Sequence, residues 1–156
     1  METIKNYING EWVPPASGAY LDNYNPATGE VYSQVPLSDE RDVQQAVAAA
    51  EKAFPQWLAM PAQERSRLLL RIAERIENDL SRLAEAESVD NGKPVWLAQS
   101  VDIPRAASNF RFFASGILHF FSESHAMENR ALNYTLRQPI GVVGCISPWN
   151  LPLYLF

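Results

Sequence analysis

The chain has 156 residues, 47% of them hydrophobic and 20% charged, enough apolar side chain for one domain with a real core and too little charge for a disordered segment. A net charge of -5 with no basic run argues against nucleic-acid binding, which needs clustered Lys and Arg against phosphate. No apolar stretch reaches membrane-spanning length, no signal-peptide core follows Met1, and a single cysteine leaves no internal disulfide, so the expectation is a cytoplasmic protein without a membrane partner.

The first 36 residues read as a small antiparallel unit. Residues 4–13 alternate, and Asn9-Gly10 is a strong hairpin signal because both positions of a tight I′ turn need positive φ. Pro14-Pro15 and Ser17-Gly18 break the pattern. Asn25-Pro26-Ala27-Thr28-Gly29 is a second turn, between strand candidates near Tyr20 to Tyr24 and Glu30 to Val35.

Helices follow. Ser38 or Asp39 can cap the first, in which Val43, Ala46, Val47, Ala50 and Phe54 repeat at helical spacing until Pro55 is expected to stop it. Pro61 suits the first turn of the next. From there Leu69, Ile72, Ala73, Ile76, Leu80, Leu83 and Ala84 mark an apolar stripe, interrupted near Asn78. Asn91-Gly92 closes it in a left-handed cap and Pro94 opens another helix. Ile103, Ala106, Ala107, Phe110, Phe113, Ala114 and Ile117 form a further apolar face. Residues 122–131 read as a loop, and Asn133 to Arg137 alternates like an exposed strand.

The continuous apolar run from Ile140 to Ile146 predicts a strand buried on both faces. It meets Pro148 and Pro152, and a helix could begin at Leu151. A strand, a tight loop and a helix start are the βα turn beside which open α/β sheets bind ligands. Asn150 sits in that loop with two amide donors and one carbonyl acceptor; from the loop alone it reads as a cap or an Asx turn as readily as a site residue. Cys145, inside the apolar run with no His or Lys nearby, reads as a small buried hydrophobe rather than a nucleophile. His119 and His125 lack metal-ligand spacing and read as surface residues. Helices between an early antiparallel unit and a late buried strand predict an α/β fold, a helical layer against a parallel sheet that the chain has only begun.

Five motifs in register carry a resemblance. They are Tyr7-Ile8-Asn9-Gly10-Glu11-Trp12, Asn25-Pro26-Ala27-Thr28-Gly29-Glu30-Val31, Asp90-Asn91-Gly92-Lys93-Pro94, Tyr134-Thr135-Leu136-Arg137-Gln138-Pro139, and Pro148-Trp149-Asn150-Leu151-Pro152. Together they resemble the NAD(P)-dependent aldehyde dehydrogenase superfamily over the whole chain. The resemblance implies that residues 1–156 are the amino-terminal portion of a Rossmann-like NAD-binding domain, with 131–138 as part of an oligomerisation arm and a homo-oligomer as the assembly. It implies oxidation of an aldehyde through a cysteine thiohemiacetal, with NAD (or NADP) as hydride acceptor and a small aldehyde as substrate. It also implies that the cysteine nucleophile and the general-base glutamate lie beyond Phe156, so that this chain alone is inactive.

By position in these motifs, Asn150 resembles the family's oxyanion asparagine. Ile146, Ser147, Pro148 and Trp149 resemble the residues that line the NAD cleft with it, although no glycine-rich dinucleotide fingerprint is present. Leu151 and Leu155 resemble residues of the aldehyde tunnel, with core packing as an equal alternative. Asp90, with backbone oxygens around Asn23 and Tyr24, resembles a monovalent-cation site, against which a plain capping role stands open. The runs from Val101 to Phe113 and from Ile146 to Leu155 most resemble the 2-aminomuconate and 2-hydroxymuconate semialdehyde dehydrogenase branch. There an arginine at the position of Arg105 is implicated in holding the substrate carboxylate; a solvated arginine is the plainer reading. Two alternatives remain: a betaine or aliphatic aldehyde dehydrogenase, or an inert or assembly-only product.

Overall fold

Asn9 and Gly10 take positive φ (54° and 82°), and the chain reverses on them, so that β2 (Asn6–Ile8) pairs antiparallel with β3 (Glu11–Val13). Tyr7 faces Trp12 across the pair with ring centroids 4.9 Å apart. The computed structural model describes residues 1–156. In it the second turn joins β4 (Tyr20–Tyr24) to β5 (Val31–Pro36), again antiparallel. One short strand departs from the expected unit: β1 (Glu2–Thr3) lies parallel to β5 on its other edge, giving the order β1-β5-β4.

Asp39 begins α1 (Glu40–Ala59) with a capping box: its carboxylate accepts from the Arg41 backbone N–H at 2.9 Å, while the Asp42 carboxylate accepts from the Asp39 N–H at 2.9 Å. Each contact satisfies an amide that a helix start otherwise leaves unpaired. Pro55 does not stop the helix, contrary to its reading as a terminator. The ring removes one donor on the exposed side of a nearly completed helix, and the neighbouring bonds carry the last turn past it.

The long stripe is divided between α2 (Ala62–Asn78) and α3 (Leu80–Asn91) by Asp79, whose φ of -111° and ψ of 18° leave the helical region. Gly92 ends α3 with φ at 78°. α4 (Val95–Leu97) leads through a π-helical turn (Ala98–Asp102), absent from the sequence expectation, into α5 (Ile103–Gly116). The core is the seam between these helices: Ala73, Ile76, Ala84, Ala98, Ile103, Ala106 and Ala107 are buried there, with Leu80, Leu83, Phe110, Leu153 and Tyr154 packed around them. Its alanines bring helix backbones close, and apolar burial drives the packing. No helix is long and apolar enough to cross a membrane.

Beyond α5, the expected loop at 122–131 contains a strand. β6 (Ser124–Met127) and β7 (Ala131–Tyr134) form an antiparallel hairpin exposed along its whole length, its turn made by Glu128 and Asn129 at positive φ. The exposed strand thus lies a few residues earlier than Asn133 to Arg137.

The largest correction concerns the run from Ile140 to Ile146. It forms no strand; Ile140 is 90% exposed, Ile146 fully exposed, and Cys145 lies in the open rather than in a core. A central parallel strand is held by hydrogen bonds from a neighbour on each edge, and neither β1 to β5 nor the β6–β7 hairpin pairs with this run. The helical layer, the antiparallel amino-terminal strands and the exposed hairpin of the expected α/β architecture are therefore present, and only the strand expected at Ile140 to Ile146 is not formed. After this segment the chain makes one helical turn, α6 (Pro152–Leu155).

Candidate functional site

α6 anchors the loop that precedes it. Leu153 and Tyr154 pack on the helical core, Pro152 occupies the first turn where its missing N–H costs nothing, and the Ser147 hydroxyl donates to the Leu155 carbonyl at 2.9 Å. The loop from Ser147 to Leu151 is thereby tied at both ends.

Between those ties stands Asn150. Its backbone carbonyl accepts from the Lys93 ammonium at 3.1 Å and from the Asn91 side-chain amide at 3.4 Å. Its carboxamide makes no hydrogen bond within the chain, and the residue that opens α6 is Leu151, without a side-chain cap. The cap reading of Asn150 therefore has no counterpart in the geometry. The main chain is held, and the donors are free.

Lys93 is itself embedded. Its ammonium donates to Glu87 Oε1 at 2.5 Å and to Asp102 Oδ2 at 2.6 Å, and the three side chains are 12%, 3% and 7% exposed for Lys93, Glu87 and Asp102. With Asn150 as the third acceptor, every ammonium proton is used. The Lys93 main chain is fixed as well, its N–H donating to Asn91 Oδ1 at 3.1 Å and its carbonyl accepting from the Ser88 hydroxyl at 2.6 Å. Burial alone would lower the Lys93 pKa, but the bonds to Asp102 and Glu87 and their charges outweigh it and hold the group above its ordinary value. Glu87 Oε2 is buried without a partner.

Arg105 projects from α5 over Tyr154 of α6, its guanidinium carbon 4.3 Å from the ring centroid. It forms no ion pair with any carboxylate of the chain. Leu155 borders an open groove of about 290 Å³ with Asn109, Phe110, Phe113 and Tyr154; Arg105 and Leu151 are not among its walls, and Leu151 is half-buried.

The residues assigned to the cation site separate into two groups. The Asn23 amide donates to Tyr32 Oη at 2.8 Å and to Asp90 Oδ1 at 3.3 Å, and the Tyr32 hydroxyl donates to the same Asp90 oxygen at 2.8 Å. Asp90 thus ties α3 to β4 and β5. Tyr24 is exposed and takes no part. Burial first, then the bond to Asp90, raises the Tyr32 pKa. No three His, Cys, Asp or Glu side chains gather as a metal site.

Of the residues assigned to the cofactor, Ile146 and Trp149 are open, with Trp149 77% exposed, and the Ser147 hydroxyl is committed to Leu155. Apolar faces at Ile146, Pro148 and Trp149 fit one wall of a dinucleotide cleft. Nothing beside them fits a pyrophosphate, since α6 is a single turn and no glycine-rich turn precedes it.

Lys93, Glu87, Asp102 and Tyr32 escaped the sequence reading. A signal existed for two of them: Glu87 continues the apolar stripe of Leu80, Leu83 and Ala84 at helical spacing, and Asp102 lies one turn before Ala106. A carboxylate on a buried stripe implies a buried cation.

A model of the aldehyde dehydrogenase family matches residues 12–156. The chain is 52% identical over 153 residues to the 2-aminomuconic semialdehyde dehydrogenase of Bos taurus and 50% identical to that of Homo sapiens; each alignment covers 97% of this chain and 31% of the relative. A solved NAD+ complex of an aldehyde dehydrogenase from Bacillus cereus superposes with a TM-score of 0.93 at 39% identity, covering 97% of this chain and 31% of that one. The chain thus spans about a third of the length of these relatives.

Proposed function

The chain belongs to the aldehyde dehydrogenase family, and on that premise we propose that the protein carrying it oxidises an aldehyde to a carboxylate, with Asn150 stabilising the oxyanion. The carrying observation is the division of labour at Asn150: a backbone carbonyl held by Lys93 and Asn91, and a side-chain amide left free to donate. Attack on an aldehyde turns its carbonyl oxygen into an alkoxide. A preorganised N–H aimed at that oxygen lowers the barrier by about 3 to 4 kcal/mol. The cysteine nucleophile and glutamate base that the family resemblance implies are not among the motifs here; Cys145 stands in an open segment. Bound NAD, or NADP, would supply the hydride acceptor, with Ile146, Ser147, Pro148 and Trp149 forming one wall of its cleft.

The substrate we propose is an acidic semialdehyde of the muconic type. The mammalian relatives carry that name, and Arg105 offers an unpaired guanidinium at the same end of the helical layer as α6. Its planar fork suits a carboxylate bidentately, while Leu155 would line the approach from the groove it borders. Asp90, with the backbone oxygens around Asn23 and Tyr24, would hold a monovalent cation beside the Asn23 and Tyr32 contacts to Asp90 Oδ1. The exposed β6–β7 hairpin supports the reading of 131–138 as part of an arm that joins subunits of a homo-oligomer.

The test is a substrate profile of the full-length protein, followed by the absorbance of reduced nicotinamide. Muconic-type semialdehydes should give the highest kcat/KM, with NAD accepted at least as well as NADP. A preference for betaine or simple aliphatic aldehydes would move the protein to a neighbouring branch, and no turnover of any aldehyde would refute the catalytic reading.

A further inference from the structure

A lysine is rarely buried, and one ammonium between two carboxylates leaves a net negative charge inside the helical layer. Apolar side chains of the same volume would often stabilise such a site as well or better. Stability alone is therefore a weak reason for the Glu87–Lys93–Asp102 cluster. What distinguishes it is the third bond of the ammonium, which leaves the cluster and crosses 57 residues of sequence to the carbonyl of Asn150. The Asn91 amide, at the last residue of α3, reaches the same oxygen. Glu87 and Asp102, on α3 and on the π-helical turn before α5, fix where that ammonium can stand.

We propose that Lys93 is a positioning residue for the oxyanion site, held by Glu87 and Asp102 so that its remaining N–H fixes the Asn150 main chain and thereby aims the Asn150 carboxamide. This rests on the reading of Asn150 as the oxyanion donor. With the carbonyl pinned, the amide can move only by rotation about its own side-chain bonds, and the loop cannot drift from the helical layer. Misplacing a catalytic group by about 1 Å costs on the order of a hundredfold in rate, so a tether of this kind would be read in kcat.

The experiment is a cycle in the full-length protein. Lys93→Met alone strands two buried carboxylates and can unfold the chain, so it is combined with Glu87→Gln and Asp102→Asn, and the triple variant is made with Asn150 and with Asn150→Ala. With Asn150 present, kcat should fall about tenfold to a hundredfold, while aldehyde KM and the dissociation constant of NAD stay within about twofold. In the Asn150→Ala background the same three substitutions should change kcat by less than about twofold, because the group they position is already gone. Equal losses in both backgrounds, or no loss beside Asn150, would overturn the positioning role while leaving Asn150 as a donor. An Asn150→Ala protein with wild-type kcat would instead refute the oxyanion reading and this inference with it. If the triple variant does not fold, Lys93→Arg decides: it keeps the charge, but its planar fork cannot reproduce three tetrahedral bonds. The same dependence on Asn150 is expected of it, and equal losses in both backgrounds overturn the proposal.

Discussion

Arg105 stands over the ring of Tyr154, with the guanidinium carbon 4.3 Å from the ring centroid. A cation–π contact attracts the charge without using an N–H donor, and Arg105 makes no ion pair within the chain. α5 thus presents a cation that is oriented by α6 but neutralised by no carboxylate of the chain. If the guanidinium receives a substrate carboxylate, Arg105→Ala should raise KM for acidic semialdehydes about tenfold or more, the scale of a lost charge-assisted hydrogen bond. Neutral aldehydes should shift by less than about twofold. Steady-state kinetics on matched acidic and neutral substrates checks this, and equal shifts would refute the clamp.

Tyr154→Leu isolates the stack from the charge. It keeps the apolar anchor of α6 on the core but removes the ring that orients Arg105. A smaller rise in KM for acidic substrates is expected, and it should vanish when Arg105 is already Ala.

Gly92 closes α3 at a φ of 78°, and a Cβ added there would stand 2.9 Å from Cγ of Pro26. Both the left-handed backbone and the rigid proline ring oppose any side chain. Gly92→Ala should destabilise the protein by about 1 to 3 kcal/mol. Gly10→Ala shares the positive φ but meets open space, so it should cost less. Urea denaturation of the two variants side by side gives the comparison. Since Gly92 precedes Lys93 directly, the first change should also lower kcat and the second should not.

Alkaline titration probes the buried polar contacts. Lys93 and Tyr32 both titrate above their ordinary values of 10.5 and 10.0. A folded pKa raised above the unfolded one contributes stability that is fully present below the unfolded value and is lost as pH climbs through the folded one. Urea midpoints should therefore hold steady up to about pH 10 and decline above it. Tyr32→Phe should remove part of that decline and leave the Lys93 part.

How much of this was legible in the sequence depended on how local the cause was. The Asn9-Gly10 turn, the Asp39 cap and the Gly92 stop each follow from one or two residues whose backbone preference nothing else disputes, and all three stand where the pattern placed them. The run from Ile140 to Ile146 depended on partners. Its apolar continuity reads as a buried strand only when neighbouring strands exist, and here it is left unpaired and exposed. The position of Asn150 in a loop before a helical turn was legible from Pro148 and Pro152. Its tether was not, because Lys93 reads as an ordinary surface charge until Glu87 and Asp102 are seen to converge on it. Tyr32 was missed for the same reason: the strand candidate from Glu30 to Val35 included it, but only the packing of α3 against β5 brings Asp90 to its hydroxyl.

The account turns on Asn150, and the most direct measurement is the steady-state kinetics of Asn150→Ala in the full-length protein against its best aldehyde. An oxyanion donor predicts a fall in kcat of about a hundredfold or more, with the dissociation constant of NAD unchanged within about twofold. Wild-type kcat in the folded variant would contradict the account.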